Sequence, residues 1–163
     1  MPHVTIEHVI ILPSLLLQIF LFPLAANSLM NIWVDSRTTL ALQEAASHLG
    51  SSIQQLYFSL NQETISAGTV TYWPGLPPLI ENHYYIGNAT LRTVLDPELN
   101  SSKAFDLTFK LGDTRITATT SVILGPNVLP PPQEKSIFIS TSPSACVSAE
   151  KFPNGTICLY FGE

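Results

Sequence analysis

The chain's two cysteines, Cys146 and Cys158, lie close together near the C-terminus. They flank a predicted closing hairpin around Lys151 to Gly155. If its turn is centred near Phe152, the two thiols face each other across the strands, and a disulfide there would add about 3 kcal/mol of stability. The alternative is a pair of buried thiols. No second Cys or His pair lies nearby in the sequence, so we expect no metal site.

Three N-x-S/T sequons give a second kind of chemistry, since each is a candidate acceptor for an N-linked glycan. All of them follow residue 80, downstream of a long apolar segment. This clustering, together with the cysteine pair, indicates an extracellular protein. The candidate asparagines are Asn88, Asn100 and Asn154.

The remaining polar residues do not form a catalytic pattern. The four histidines are dispersed, and no metalloprotease, nucleophile-elbow or phosphate-loop motif is present in the sequence. Asp106 and Asp113 flank strand-like residues on the expected wet face, where each is a solvated charge. We therefore expect no catalytic residue and no cofactor, and a protein that is not an enzyme. A net charge of −5 without a basic cluster argues against a nucleic-acid partner.

One aromatic cluster stands apart from these residues. It has two interpretations, a binding face for sugar or protein and a half-buried sheet edge. Its members are Tyr72, Trp73, His83, Tyr84 and Tyr85.

The N-terminal region is strongly apolar, and Val9 to Met30 contains no Asp, Glu, Lys or Arg. As a helix rising about 1.5 Å per residue, this segment is long enough to cross a bilayer. A signal peptide fits less well, because no basic residue precedes the run and the run is long. Pro23 to Ser28 is nevertheless similar to a cleavage region. Pro13 and Pro23 each remove a helical hydrogen bond, which neighbouring helices can compensate.

An amphipathic pattern continues the apolar one. Apolar residues recur alternately every four and three residues, which is a heptad seam. We expect one nearly continuous helix from about Thr5 to Leu60, apolar over residues 5–30 and amphipathic over residues 31–60, within a first domain of residues 1–62. The seam residues are Leu42, Ala46, Leu49, Ile53, Leu56 and Leu60.

The periodicity then changes to the alternation of β-strands. Phe105 to Leu111 alternates cleanly, Gly112-Asp113 is a turn signal, and Ile116 to Leu124 alternates again, which predicts a hairpin. Six or seven short strands over residues 63–163 predict an all-β, Ig-like sandwich. The fold class is therefore α+β, a long N-terminal helix followed by a β-sandwich head.

Glu7 stands at the start of the apolar segment. One interpretation is a favourable interaction with the dipole at the helix N-terminus. The other is pairing with a cationic amine on a neighbouring subunit, which would set the register between subunits.

This plan resembles that of type IV pilins, in which an apolar, then amphipathic helix carries a globular head in a lollipop shape. "HVTIEHVIILP" is similar to the start of mature pilins, and Glu7 would match their fifth-position glutamate if His3 came first. Pro23 lies near the place where bacterial pilins break their helix. An all-β head and several sequons resemble the archaeal branch, which includes archaeal flagellins.

The resemblance implies a structural subunit of an extracellular, pilus-like filament that serves adhesion or motility. Copies of the chain would be held in a membrane as precursors and then packed into a helical homopolymer, with the heads and their glycans facing solvent. The alternative is a single-pass, membrane-anchored extracellular β-domain that acts as a binding module or receptor. The expected filament-core residues are Glu7, Ile10, Ile11, Leu15, Leu16, Phe20, Phe22 and Leu24.

Overall fold

A computed structural model describes the backbone of residues 3–94 and 102–162, with side chains from Ile11 onward in those ranges. The chain begins with a single α-helix, α1 (His3–Leu60), which contains Pro13 and Pro23. β-strands follow it. This order confirms the predicted α+β class, with a long N-terminal helix and then a β-domain.

Eight strands lie in the described part of the chain, and a short 3₁₀ helix (Gln133–Lys135) precedes the sixth. The strands are β1 (Gly68–Tyr72), β2 (Tyr85–Val94), β3 (Ser102–Leu111), β4 (Thr117–Leu124), β5 (Val128–Leu129), β6 (Ile137–Ile139), β7 (Val147–Lys151) and β8 (Ile157–Phe161).

The strands form two four-stranded sheets, with orders β1-β7-β8-β5 and β4-β3-β2-β6. The β5–β8 pair is parallel and the other pairs are antiparallel. The predicted central hairpin is present as β3 and β4, joined by a turn at Gly112, whose φ is +39°. β5 has only two residues, which are too few for its sequence to show the alternation of a strand.

Side chains from both sheets and from the second half of α1 meet in one hydrophobic core. The inward face of β3 is buried from Phe105 to Leu111 at alternate residues, as its pattern predicted. The helix contributes its heptad seam, of which Leu56 is partly buried and the other members are fully buried. Burying such a side chain stabilises a fold by about 1.5–3 kcal/mol. The helix is therefore a structural part of the β-domain.

Polar contacts attach this half of the helix to both sheets. The Gln43 side chain donates to the Thr119 carbonyl on β4 at 3.3 Å. The Tyr57 hydroxyl donates to Asn127 Oδ1 at 2.8 Å. Asn127 directly precedes β5, and its Nδ2 donates to Asn61 Oδ1 and to the Gly155 carbonyl at 2.8 and 3.0 Å. Asn127 thus joins the end of α1 to the turn between β7 and β8.

The chain separates into two compact units, the first ending at Arg37 and the second beginning at Thr38. The second half of α1 belongs to the second unit together with the strands. This division differs from the predicted boundary at residue 62, which followed the end of the helix. Contacts of the seam with the sheets, which the helical pattern does not show, place the division inside the helix.

The seam gives a first test of stability. Replacing Leu49 with Ala should lower the free energy of unfolding by about 2–5 kcal/mol, because the buried seam loses contacts and gains a cavity. Replacing Leu40, which is 67 % exposed, with Ala should change it by less than about 0.5 kcal/mol. The measurement is denaturant unfolding of the full chain in mild detergent. Equal losses would show that the helix does not pack on the sheets.

The Tyr57 contact gives a second test. A Cβ atom at Gly125 would collide with the Tyr57 hydroxyl, whereas one at Gly68 would meet nothing within 4 Å. Gly125→Ala should therefore break the Tyr57–Asn127 hydrogen bond and destabilise the chain by about 1–3 kcal/mol. Adding Tyr57→Phe should recover part of that loss, because the colliding oxygen is gone. Gly68→Ala is the matched control. If the double variant lost as much unfolding free energy as the two single variants added together, this packing would be contradicted.

Candidate functional site

The first half of α1 presents a long exposed apolar surface. Every side chain from Ile11 to Arg37 is exposed. By length and composition α1 is apolar enough to cross a membrane, and none of its most apolar stretch is buried. An N-terminal signal helix passes the same test of length and composition. The chain thus carries an apolar helical surface that nothing in its own described residues covers.

The residues predicted for a filament core lie on this surface. Phe22 is the most exposed of them, at 76 %. The side chains of Glu7 and Ile10 lie outside the described residues, although both positions are in the helix. The described members, all exposed, are Ile11, Leu15, Leu16, Phe20, Phe22 and Leu24.

A shallow groove, open to solvent over most of its area, lies on this surface beside Pro23. Pro23 has no N–H to donate to the Ile19 carbonyl one turn earlier, so this carbonyl lacks its usual helical donor. Apolar side chains and one amide, that of Gln18, line the groove. They are Leu15, Gln18, Ile19, Leu21, Phe22, Pro23 and Ala25.

At the end of the first unit, Arg37 and Trp33 form a contact that the sequence pattern did not indicate. The guanidinium carbon lies 5.8 Å from the centre of the indole ring. The two residues are one helical turn apart, a spacing that brings side chains together on one face. The spacing of four residues between Trp33 and Arg37 is the sequence feature that could have indicated this contact.

Cys146 and Cys158 are both free and buried, so the predicted disulfide is wrong. The hairpin turn is centred on Asn154 instead of Phe152, and Cys158 pairs with Glu150 in the register of β7 and β8. Cys146 is four residues from Glu150, or about 13 Å along the strand. A disulfide needs Cα atoms within about 7 Å.

The surroundings of Cys158 favour an inert thiol. Burial raises the pKa of Cys158, and the nearby Glu150 carboxylate raises this pKa further. Its sulfur lies 3.8 Å from the Pro130 carbonyl, to which the thiol donates. Because the thiolate is the reactive form, a raised pKa lowers its reactivity.

Two of the three sequons lie in the described chain. Asn88 and Thr90 are both exposed on β2, on its outward face. Asn154 is exposed in the β7–β8 turn, where its Oδ1 accepts hydrogen bonds from the Thr156 amide and hydroxyl at 3.1 and 2.7 Å. Asn100 lies outside the described residues. Both described asparagines are accessible, and their glycosylation stays a prediction.

The predicted aromatic cluster divides into buried and exposed members. Tyr85 is fully buried, its hydroxyl donates to the Pro77 carbonyl at 2.8 Å, and burial raises its pKa to about 12. Tyr72, Trp73 and Tyr84 are exposed, with Trp73 at 60 %. Tyr85 therefore belongs to the core, and its neighbours remain available to a partner.

Asp106 is partly exposed and Asp113 is exposed, so both lie at the surface of the β-domain. Asp106 accepts a hydrogen bond from the Ser121 hydroxyl at 2.6 Å, which lowers the pKa of Asp106, and it also pairs with Arg92 at 3.1 Å. Asp113 is exposed in the β3–β4 turn. Among the described residues, no group of three or more His, Cys, Asp or Glu side chains could hold a metal ion.

No protein-family model, curated protein or solved structure matches the chain. The long apolar helix followed by β-sheets is consistent with a pilin-like architecture, and that is the extent of the likeness.

The cysteine register leads to a direct prediction. Protein made in an oxidising compartment, denatured without reductant and treated with an alkylating reagent, should take up the reagent at both Cys146 and Cys158 in mass spectra. The control is the same sample treated with reductant first, which should give an identical mass. A mass gain only after reduction would show a disulfide and would contradict the β7–β8 register.

Proposed function

We propose that this chain is a structural subunit of an extracellular, pilus-like filament, in which the apolar halves of α1 from many copies pack together. The observation that carries the proposal is the continuous exposure of apolar side chains from Ile11 to Val34. Soluble monomers rarely expose apolar patches of more than a few hundred Å². Lipid can cover such a surface before assembly, and other copies can cover it afterwards.

The distribution of small and polar residues along α1 supports contact between copies. The four-and-three spacing of the buried seam, continued toward the N-terminus, passes through Thr39, Asp35 and Ile32 and then through residues that are mostly small or polar. Small residues let helices approach closely, and polar groups in an apolar environment favour hydrogen bonds between helices. We call this set the assembly seam; it consists of Ser14, Gln18, Leu21, Ala25 and Ser28.

The groove beside Pro23 lies on the assembly seam, because Gln18, Leu21 and Ala25 also line it. A side chain of a neighbouring copy can rest in a shallow groove of this kind, and the exposed Phe20 is available for such a contact. Lipid chains are as apolar as these side chains, so the gain on leaving the membrane comes from packing and from hydrogen bonds. Gln18 would supply one such bond in the filament core.

A membrane-anchored binding module is the second candidate function. The exposed Tyr72, Trp73 and Tyr84 favour it, since aromatic side chains are enriched where proteins bind partners. In that case α1 would stay in lipid, and these aromatic residues would contact the ligand. In the filament the apolar half of α1 is finally surrounded by other copies of the chain, whereas in the binding module it stays surrounded by lipid.

Electron microscopy separates these candidates. Material sheared from cells that express the chain, viewed in negative stain, should contain filaments, and mass spectrometry should identify this chain as their main protein. Recovery of the chain only from detergent-extracted membranes would exclude the filament and favour the binding module.

A matched pair of variants tests the assembly seam within the same experiment. Ala25→Leu places a bulky side chain on the seam and in the groove, so it should reduce filament yield several-fold. Ala26→Leu makes the same chemical change about 100° further around the helix, and its yield should fall much less. Equal yields from both variants would show that copies do not pack along this seam.

A further inference from the structure

Three isoleucines form an apolar patch on the outward face of the β4-β3-β2-β6 sheet, where β2 and β6 meet. Ile86 on β2 lies directly opposite Ile139 on β6, and Ile137 lies two residues before Ile139 on the same face. Their side chains are 36, 43 and 50 % exposed, respectively. Single exposed apolar side chains are ordinary on a protein surface, but three that adjoin one another leave a contiguous apolar area in water. We call these three residues the isoleucine patch.

Asn88 adjoins the isoleucine patch on the same face of β2. It lies two residues after Ile86 and directly opposite Ile137. The Ala89 amide donates to the Ser136 carbonyl at 2.9 Å, so that position of the ladder is a hydrogen-bonded pair. Because the two kinds of pair alternate between antiparallel strands, Asn88 and Ile137 form a pair of the other kind, in which the Cα atoms are about 4.5 Å apart and the side chains are closest.

Asparagine is unusual at this place in a sheet. β2 is paired on both sides, and Asn88 lies opposite Thr108 on β3 as well as Ile137 on β6. Asparagine is depleted in strands, where β-branched and aromatic side chains pack better on the pleated surface. Thr90, two residues further on, is exposed on the same face, so both polar members of the sequon point to solvent. The sequon therefore has no packing role in the core and is open to modification.

We infer that Asn88 is an N-glycosylation site whose glycan covers the isoleucine patch. Asn88 Nδ2 forms a bond to C1 of the first sugar of a lipid-phosphate-linked oligosaccharide. The bond from C1 to the phosphate oxygen breaks, the lipid phosphate leaves with that electron pair, and Nδ2 gives up one proton. The inference rests on the proposed function only for the extracellular location of the β-domain, which the binding module shares.

The chemistry of a glycan suits this surface. A sugar ring has C–H groups on its faces and hydroxyl groups around its edge, so it can cover aliphatic side chains while its hydroxyls stay hydrated. The first sugars on Asn88 lie next to Ile86 along the strand and next to Ile137 across it. A glycan at this position therefore removes apolar area from water without a second protein chain.

Mass spectrometry of the chain isolated from the cells that naturally make it tests the modification. The peptide that contains Asn88 should carry a glycan mass, and Asn88→Gln and Thr90→Val should both lose it, because each removes the sequon. An unmodified Asn88 in the natural protein would overturn the inference. Filaments built from chains with an unmodified Asn88 would leave the proposed function standing, whereas a glycan on Asn88 without filaments would reject the filament alone.

A double-variant cycle tests whether the glycan lies on the isoleucine patch. In the glycosylated full chain, unfolded in mild detergent, Asn88→Gln should raise the unfolding equilibrium constant several-fold, because the folded state loses the contact. In the presence of Ile137→Thr, the same loss of the glycan should have a much smaller effect. Thr90→Val should show the same dependence on Ile137→Thr, since it removes the glycan and keeps Asn88. Equal effects of glycan loss with and without Ile137→Thr would overturn the inference.

Ile123→Thr is the matched control, because Ile123 is an exposed isoleucine of the same sheet. It lies two strands from β2, level with a residue four positions beyond Asn88, which places it about 16 Å away. Glycan loss should change the unfolding equilibrium constant equally with and without Ile123→Thr. A fall in filament yield for Ile137→Thr but not for Ile123→Thr would show that a second copy covers the patch instead of the glycan, and would overturn the inference.

Discussion

The packing of the heptad seam of α1 against both sheets is the interaction on which the β-domain depends. Leu42, Leu49 and Ile53 are completely buried in the same cluster as the inward side chains of β3 and β8. Each sheet has one apolar face, and such a face must be covered by another element. Because the helix contributes side chains to that core, the β-domain consists of Thr38 onward rather than of the strands alone.

One helix therefore meets two different environments. Its second half has an ordinary amphipathic pattern, with a buried seam and exposed polar positions such as Glu44 and Gln54. Its first half is apolar on nearly all sides, which is typical of helices within lipid or within a bundle of helices. The covering of that first half must come from outside the described chain. This requirement is the physical basis on which assembly or membrane insertion is proposed.

The two cysteines show how strand register decides whether a disulfide can form. Cys158 lies on β8, Cys146 directly precedes β7, and both are buried. A shift of the turn centre by two residues moves the partner of each strand position by four, and this separates the two sulfurs. Gly155, with φ of +82°, lies in that turn, where a left-handed residue is needed. The turn, rather than the spacing of the cysteines, therefore decides whether a disulfide forms.

The sequence by itself determined the features that repeat locally. The length of α1 follows from an apolar run that continues as an amphipathic one, and its seam and the β3–β4 hairpin follow from periods of 3.6 and 2, which neighbouring residues report. The tertiary structure decided what depends on distant partners. β5 exists only because Val128 and Leu129 pair with β8. Tyr85 is buried because Phe109, Phe138 and the Pro77 loop surround it. The division at Arg37 also depends on distant partners. Because α1 continues without interruption, its local sequence does not show at which residue the helix starts to belong to the β-domain.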